Sequence, residues 1–238
     1  LTQHKNAVET IQDVVNILLL KGSIGKPGAG TCPVRGHSNV QGDRTMGIYE
    51  KPSKLFLDAL ESSFNFNPPR ESGYDVVESI EAMYEHKVKL FFCLGGNFLS
   101  ASPDTHYTAQ AIRNCEMTIQ VSTKLNRSHL ITGKEALILP CLARTDKDII
   151  NGIDQIVSVE NSMGVVHSSR GTIPPFSTEL KSEMAIVSHI AIVTFGENSP
   201  IDWSIYLTHY DNIRNSIEKT IKGFENYNSR VRIPEGFY

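Results

Sequence analysis

Cysteine is scarce in this sequence, and no two cysteines stand at the spacing of a metal site. The four present are Cys32, Cys93, Cys115 and Cys141, with no CxxC pair and no neighbouring histidine at ligand spacing. This spacing argues against a zinc or iron–sulfur site within the chain, so we assign no residue as a metal ligand. We expect buried free thiols, a pattern that suits a reducing cytoplasm.

Long apolar runs and a strong net charge are also lacking. The longest apolar runs, near residues 17–20 and 185–193, are too short or too interrupted for a membrane span, and no signal peptide is visible. The net charge of −3 offers no general attraction to nucleic acid or to an anionic membrane. We therefore expect a cytoplasmic protein with neither of these partners.

The stretch from residue 25 to residue 47 is rich in glycine, with cations and amides between the glycines. Glycine lets backbone N–H groups approach an anion closely, and Arg35, His37, Asn39, Gln41 and Arg44 add hydrogen-bond donors. This composition predicts contact with a large phosphorylated cofactor. The alternative is a mobile polar loop.

Three helices are predicted in the first third of the chain. Apolar residues at helical spacing indicate a helix over residues 5–20, ended by Gly22. Ser53 is expected to cap a second helix through residue 60. Asp75 and Glu78 form a capping box for a third, which reaches about residue 86.

A parallel sheet is predicted in the middle of the chain. The apolar run at residues 88–94 indicates a strand buried on both faces and stopped by Gly95-Gly96. A helix over residues 104–114 and strands over 117–121 and 136–139 follow. This βαβ alternation predicts an α/β fold with a doubly wound, mainly parallel sheet and flanking helices, whose ligands lie beyond the carboxyl ends of the strands.

Shorter elements are predicted after residue 140. They are a helix over residues 147–153, a strand over 156–159, a ligand-like loop over 161–171, a helix capped by Ser177 or Thr178 and reaching residue 189, and a last helix over 211–224. We divide the chain into three parts. Residues 1–50 hold the first helix and the glycine-rich cofactor loop, residues 51–145 form an α/β nucleotide-binding domain, and residues 146–238 form an adjoining α/β segment of the same or a neighbouring domain.

Two polar clusters fall at predicted strand ends. One is Gly95-Gly96-Asn97, and the other runs from Ser122 to Arg127. An amide can pair with a base edge, while hydroxyl and cationic groups hold ribose or phosphate. For each cluster alone, ordinary turn chemistry is the favoured interpretation. Together with the glycine-rich stretch, the two clusters favour a binding site.

Several motifs resemble one known family. Gly-Lys-Pro-Gly-Ala-Gly from residue 25, Pro-Val-Arg-Gly-His-Ser-Asn-Val-Gln-Gly from residue 33 and Met46-Gly47 resemble the molybdopterin oxidoreductases of the formate dehydrogenase alpha-subunit type, in the FdhF/YdeP-like branch. The resemblance includes Thr2-Gln3-His4 and extends through residues 121–128 to residues 161–164 and 169–171. It therefore covers most of the chain. Because the chain starts at Leu1 and enters an amphipathic pattern at once, we expect an internal piece of a longer protein.

The resemblance implies a cofactor and a catalytic candidate. In the family, a bis-molybdopterin guanine dinucleotide holds molybdenum or tungsten, and a 4Fe-4S cluster is expected only in a missing upstream part. Arg35 would lie near the metal and orient an anionic substrate, and it is our catalytic candidate. A phosphate clamp or an internal salt bridge is the alternative role for Arg35. Gly36 and His37 belong to the same motif, and His37 stands where the formate enzymes usually have glutamine.

The resemblance also implies contacts to the nucleotide part of the cofactor. Gln3 matches a glutamine that contacts the cofactor. Asn97 falls where formate dehydrogenases commonly place an aspartate against the guanine, and Gly96 beside it is also assigned to cofactor binding. Ser122, Lys124 and Asn126 match the segment that lines the same nucleotide.

The implied function belongs to a longer parent protein. No residue here matches the family's protein ligand to the metal, so we expect this chain alone to be inactive. The parent is expected to oxidise or reduce formate or another small compound and to exchange electrons with a possible electron-transfer protein. A non-catalytic cofactor-binding or acid-stress protein that kept the fold is the alternative. A conventional nucleotide-binding dehydrogenase or phosphotransferase is disfavoured. Gly25-Lys26 is followed by Pro27 and not by the Ser or Thr of a Walker phosphate loop, and Gly28-Ala-Gly30 lacks the third glycine of a dinucleotide-binding fingerprint.

Overall fold

The computed structural model describes residues 4–32, 40–48 and 51–238. The chain divides into two compact units, residues 1–38 and residues 39–238. The domain boundaries predicted after residues 50 and 145 stay predictions. Within the described ranges, no helix is both long enough and apolar enough to cross a membrane.

Helices dominate the described residues. In chain order they are α1 Ala7–Leu20, α2 Val40–Thr45, α3 Lys54–Phe64, α4 Val76–Tyr84, α5 Phe98–Ala101, α6 Thr105–Arg113, α7 Glu183–Phe195, α8 Asp211–Thr220 and α9 Tyr227–Arg230. The strands are β1 Leu90–Leu94, β2 Met117–Ser122, β3 Glu135–Pro140, β4 Ile149–Ile150, β5 Ile153–Asp154, β6 Val157–Glu160 and β7 Val166–Ser169. Short 3-10 helices cover Arg127–Leu130, Gly196–Asn198 and Trp203–Leu207.

Helix α1 ends as the sequence predicts. Gly22 has a φ of 62°, which is the left-handed conformation that favours glycine. Its N–H donates to Leu19 O at 2.9 Å, and the N–H of Ser23 donates to Leu18 O at 2.8 Å. This double closure of the last turn satisfies carbonyls that would otherwise lack partners.

The predicted caps of α3 and α4 are confirmed. The hydroxyl of Ser53 accepts from Phe56 N at 3.2 Å. Asp75 accepts from Glu78 N at 2.9 Å, and Glu78 accepts from Asp75 N at 3.0 Å. Helix α3 extends to Phe64, beyond the predicted end, because Asn65 adopts a left-handed conformation that ends the helix there.

The central sheet confirms the α/β prediction. Its three strands lie in the order β1-β2-β3, and both pairs are parallel. Helices α4 and α6 pack together on the side of Phe91. Helix α7 packs through Ile186 against Ile119 and Val121. Helices therefore flank both faces, as a parallel sheet requires.

The prediction that β1 is buried on both faces is wrong. Leu90, Phe92 and Leu94 remain 50%, 38% and 49% exposed. They share a face with Ile119, because Phe92 pairs with Ile119 across the β1–β2 ladder. Helix α7 packs over β2 and β3 on this face, so the part of the face that β1 contributes stays uncovered.

The helix predicted over residues 147–153 is also wrong. The segment forms an antiparallel hairpin of β4 and β5. Asn151 and Gly152 connect the two strands with φ values of 52° and 79°. An Asn-Gly pair with positive φ at both positions is the favoured two-residue hairpin turn, and it outweighs the local helical pattern.

Three further elements differ from their predictions. The ligand-like loop over residues 161–171 contains β7, which pairs antiparallel with β6. Helix α7 is capped by Ser182, whose hydroxyl accepts from Ala185 N at 3.2 Å, and not by Ser177 or Thr178. Helix α8 ends at Thr220 and so stops short of Phe224.

A second core forms near the end of the chain. Phe224, Tyr227 and Phe237 pack with ring centroids 4.8 to 5.7 Å apart. Val166 in β7 joins them, and its N–H donates to Phe237 O at 2.7 Å. These contacts fasten the chain end to the β6–β7 hairpin.

Asp211 forms ion pairs with two arginines beside this core. Its carboxylate accepts from Arg214, which is buried, and from Arg232 at 2.8 and 2.9 Å. Partial burial alone would raise the pKa of Asp211, but the hydrogen bonds and charges of Arg232 and Arg214 outweigh it and lower the pKa. The ionised carboxylate is therefore the form that stabilises the fold.

Met83 provides a test of the packing between α4 and α6. Its side chain is 1% exposed, whereas Leu55 on α3 is 82% exposed. We expect Met83→Ala to lower the free energy of unfolding by about 2–5 kcal/mol through a lost transfer term and a cavity. Leu55→Ala should change it by less than about 0.5 kcal/mol. Urea denaturation of both variants measures this, and equal losses would contradict the assigned core.

Asp211 provides a test of electrostatics. We expect Asp211→Asn to lower the free energy of unfolding at neutral pH by roughly 1–3 kcal/mol. Because the folded pKa is depressed, this stabilisation is present above the unfolded value of about 3.9 and is lost as the pH falls through the folded pKa. The difference between wild type and variant should therefore shrink at acidic pH. Asp13→Asn, at an exposed position of α1, is the control and should show no such trend in the same denaturation series.

Candidate functional site

The predicted nucleotide residues meet at one edge of the central sheet. Because β1 and β2 are parallel, the segments that follow Leu94 and Ser122 leave the sheet on the same side. The N–H of Gly95 donates to Val121 O at 2.8 Å, which extends the ladder one step beyond β1. We call this edge, with residues 95–97 and 122–128, the carboxyl edge.

Two consecutive glycines shape the first segment. Gly95 and Gly96 have φ values of 71° and 75°, a conformation that costs a residue with a Cβ roughly 1–2 kcal/mol. A Cβ at Gly96 would meet no atom within 4 Å. Position 96 therefore favours glycine because of its backbone conformation and not because of a steric clash. Its exposed backbone is open to close approach by a ligand.

A hydrogen-bond network joins the two segments. Asn126 donates from Nδ2 to Gly96 O at 2.9 Å and accepts at Oδ1 from Ser128 N at 2.9 Å. The hydroxyl of Ser128 accepts from Leu99 N at 3.1 Å and donates to Asn97 Oδ1 at 2.8 Å. Asn126 therefore holds the glycine turn, and Ser128 orients Asn97.

The orientation of Asn97 determines what it offers. Its Oδ1 is engaged by Ser128, and the residue as a whole is exposed. No described residue accepts a hydrogen bond from its Nδ2. The amide therefore presents a donor to the solvent side of the carboxyl edge.

Ser122 and Lys124 form a local turn. The hydroxyl of Ser122 donates to Lys124 O at 2.8 Å and accepts from Lys124 N at 3.4 Å. Lys124 itself is exposed. These bonds are ordinary turn chemistry, and they leave the Lys124 side chain beside the same edge.

The structure thus brings together Gly96, Asn97, Ser122, Lys124 and Asn126. The remaining predicted site residues, Gln3, Arg35, Gly36 and His37, lie outside the described residues. Their predicted roles stay predictions.

Glu183 lies close to the carboxyl edge, and the sequence analysis did not single it out. It is the first residue of α7, yet its Oε1 lies 3.9 Å from where a Cβ would stand on Gly95. Burial raises the pKa of its carboxyl group. No described residue forms a hydrogen bond or ion pair with this carboxylate. The local sequence gives no signal for the contact, because 87 positions separate Gly95 from Ser182, the cap that starts the helix.

Glu183 also lies at an apolar cavity of about 540 Å³. Leu94, Met184 and Val187 also line the cavity, and helices α3 and α8 contribute half of the remaining lining residues. Glu183 is the one charged side chain among the described residues that line this cavity. The volume lies within the range of small-molecule sites.

The cysteines do not provide a reactive thiolate at this edge. Burial raises the pKa of Cys141 to about 11, with a further contribution from the charge of Glu183. Burial also raises the pKa of Cys93 and Cys115. The prediction of buried free thiols is confirmed for Cys115 and Cys141, whereas Cys93 is half-buried and Cys32 is exposed. Within the described ranges, no three His, Cys, Asp or Glu side chains are grouped to hold a metal ion.

Comparison with known proteins gives matches along the whole of this chain. The chain is 54% identical over 237 residues to a protein named uncharacterized oxidoreductase from Mycobacterium tuberculosis, covering 100% of this chain and 30% of that protein. It is 44% identical over 238 residues to YdeP from Escherichia coli, covering 100% of this chain and 31% of YdeP. No family model matches the chain.

A more distant relative carries a named activity. The alpha subunit of the F420-dependent formate dehydrogenase from Methanocaldococcus jannaschii is 26% identical over 157 residues, or 62% of this chain and 22% of that subunit. The chain spans about 30% of the length of the mycobacterial oxidoreductase and of YdeP. Similarity to the first two proteins runs along the whole chain, and these matches together are consistent with an internal fragment of a formate dehydrogenase-like oxidoreductase.

Proposed function

We propose that this chain is the nucleotide-binding part of a molybdenum or tungsten oxidoreductase that carries a bis-molybdopterin guanine dinucleotide. The observation that carries the proposal is the convergence of Gly95-Gly96-Asn97 with residues 122–128 at the carboxyl edge of a parallel sheet. Ligands of open α/β sheets bind in this position. The relatives named as oxidoreductases and as a formate dehydrogenase subunit support the same proposal.

The described residues fit the nucleotide end of such a cofactor. The Asn97 Nδ2 group is a donor for a base. The Ser122 hydroxyl gives its proton to Lys124 O but keeps a lone pair that can accept from a ribose hydroxyl. Lys124 adds an exposed cation for phosphate. The glycine turn gives these groups access without a Cβ in the way. The role of this chain at the carboxyl edge is therefore to bind and orient the nucleotide.

The metal end of the site depends on the glycine-rich motif. Arg35 is proposed to lie beside the metal and hold an anionic substrate in fixed geometry, with Gln3, Gly36 and His37 as cofactor contacts. The bound metal–pterin group would supply two-electron redox chemistry. Formate or another small compound is the proposed substrate, and a 4Fe-4S cluster elsewhere in the parent would pass electrons to a partner protein. We propose a cytoplasmic location.

Arg35 tests the metal end. The full-length protein from a cofactor-competent host should contain stoichiometric metal with a pair of pterins, measured by elemental analysis and oxidised-pterin fluorescence. Arg35→Ala should keep this content but lose about 100-fold or more in formate-dependent dye reduction, because a fixed cation at the reacting anion is removed. Arg113→Ala, at an exposed site on α6, is the matched control and should keep activity.

The outcomes separate the proposal from its alternatives. A folded protein without metal and pterin would overturn it. Metal and pterin without turnover on formate or on a panel of small oxidisable and reducible compounds would support the non-catalytic cofactor-binding or acid-stress protein instead. Full activity of Arg35→Ala would remove Arg35 from the catalytic role and leave cofactor binding in place.

Gly96 tests the nucleotide end. Gly96→Ala should lower the free energy of unfolding by about 1–2 kcal/mol, because its φ is 75°. It should also lower the pterin content, since the turn that presents Asn97 is distorted. Gly73→Ala is the matched control, because a Cβ there meets nothing and φ is not positive. It should be neutral or stabilise by about 0.4–1 kcal/mol. Denaturation and pterin assays on both variants check this, and equal behaviour would argue against the turn.

A further inference from the structure

The uncovered side of β1 belongs to a continuous apolar surface. Leu90, Phe92 and Leu94 lie on one face of the sheet and remain exposed. Leu94 also lines the apolar cavity of about 540 Å³ to which α3, α7 and α8 contribute. The exposed face of β1 therefore continues into that cavity, and we call the two together the β1 surface. Contiguous exposed apolar surface of this kind marks an interaction site.

The backbone of β1 has an open edge as well. Lys89 O accepts from β2 at 3.0 Å, and Gly95 N donates to β2 at 2.8 Å. Alternate residues of a strand direct their backbone groups to opposite sides, so Leu90, Phe92 and Leu94 direct theirs away from β2. Among the described residues, β2 is the one strand that pairs with β1. The other edge of β1 therefore offers a row of N–H and C=O groups to a further strand.

This edge lacks the features that normally protect an edge strand. The sequence of β1, LFFCL, contains no charged residue and no proline, and its register with β2 is continuous, without a bulge. Strand β3 at the opposite edge differs, because it begins at Glu135 and ends at Pro140. The chain just after β3 is also bridged to Lys181. The contrast marks β1 as the edge at which a further strand would pair.

A segment of the same polypeptide is the occupant that the comparisons favour. The mycobacterial oxidoreductase and YdeP match this chain along its whole length, and this chain spans about 30% of their length. In proteins of that length, most of the polypeptide lies outside the matched part. A segment joined covalently to the β1 surface has a high effective concentration there, which a separate molecule lacks.

We propose that β1 is an internal strand of the sheet in the longer protein. A segment of the same polypeptide outside residues 1–238 adds a strand to the open edge of β1, and its apolar side chains cover Leu90, Phe92 and Leu94 and fill the adjoining cavity. A parallel sheet needs such cover on both faces. The inference also gives a reason for the uninterrupted apolar sequence of β1. It goes beyond the proposed function and does not depend on the cofactor.

Hydrogen exchange tests the backbone pairing in the full-length protein. We expect the N–H groups of Leu90, Phe92 and Leu94 to exchange about 100-fold or more slowly than those of an exposed loop. The N–H groups of Phe91 and Cys93, which point to β2, should be protected in either case. Mass spectrometry with electron-transfer fragmentation separates these alternating amides. Fast exchange at Leu90, Phe92 and Leu94, with slow exchange at the other two, would show an open edge and overturn the inference.

A photo-crosslinker identifies what covers the face of β1. Full-length protein with Phe92→p-benzoylphenylalanine should form, on irradiation, an intramolecular crosslink to a peptide outside residues 1–238. The yield should not change with protein concentration. The same substitution at Leu55, which is 82% exposed on α3, is the matched control and should give no crosslink to that peptide.

The other outcomes contradict the inference in different ways. A crosslink of doubled mass on a denaturing gel would make a second copy of the protein the occupant. Crosslinks confined to residues 1–238 would leave the β1 surface uncovered by the rest of the polypeptide. The exchange measurement uses the unsubstituted protein, so it decides the pairing even if the crosslinker disturbs the fold. Because neither readout depends on metal or pterin content, failure here would leave the proposed function to its own assays.

Discussion

The parallel pairing of β1 with β2 and of β2 with β3 is the constraint on which the rest of the described structure depends. The chain leaves parallel strands at the same edge of the sheet. This pairing therefore brings Gly96 and Asn97 next to Asn126 and Ser128, which lie about 30 positions later in the sequence. Parallel strands also need apolar cover on both faces. Helices α4 and α6 cover one side, and α7 covers β2 and β3 on the other but leaves β1 uncovered. Placing α7 there brings its first residue to the carboxyl edge.

The contacts that hold α7 link the sheet to the rest of the larger unit. The Tyr210 hydroxyl bonds Asp148 and Ser182, and Tyr210 N donates to Gln155 Oε1 at 2.9 Å. Burial and the Asp148 hydrogen bond both raise the pKa of Tyr210, so the phenol stays protonated and keeps donating to Asp148. The β4–β5 hairpin, the cap of α7 and the start of α8 thus share one buried polar cluster, whose members are satisfied by each other.

Local chemistry in the sequence predicted the elements whose boundaries depend on neighbouring residues. Ser53, Asp75 with Glu78, and Gly22 act within a few positions of themselves, and each behaves as expected. The strand ends at Gly95 and Ser122 follow from the same kind of signal. The carboxyl-edge residues were therefore accessible from the sequence, once the βαβ order was recognised.

The errors arise where distant contacts decide between two local options. Ser177, Thr178 and Ser182 all suit a helix cap, and the contacts of Lys181 and Tyr210 select Ser182. The hairpin at Asn151-Gly152 was missed because the Asn-Gly turn signal was not used when a helix was predicted over residues 147–153. Exposure of β1 depends on how far α7 extends across the sheet, which no pattern within β1 encodes. The approach of Glu183 to Gly95 belongs to the same class.

The environment of Glu183 is unfavourable for a charged side chain in the folded protein. Glu183 is half-buried and has no hydrogen-bond or ion-pair partner among the described residues, which costs free energy because burial disfavours the charged form of its carboxyl group. Its place in the first turn of the 13-residue helix α7 offsets part of this cost, since the positive end of the helix dipole lies there. The apolar lining that imposes the cost also strengthens any hydrogen bond that the carboxylate later accepts. Buried charged groups are normally paired in folded proteins. Exceptions to such rules are expected at functional sites.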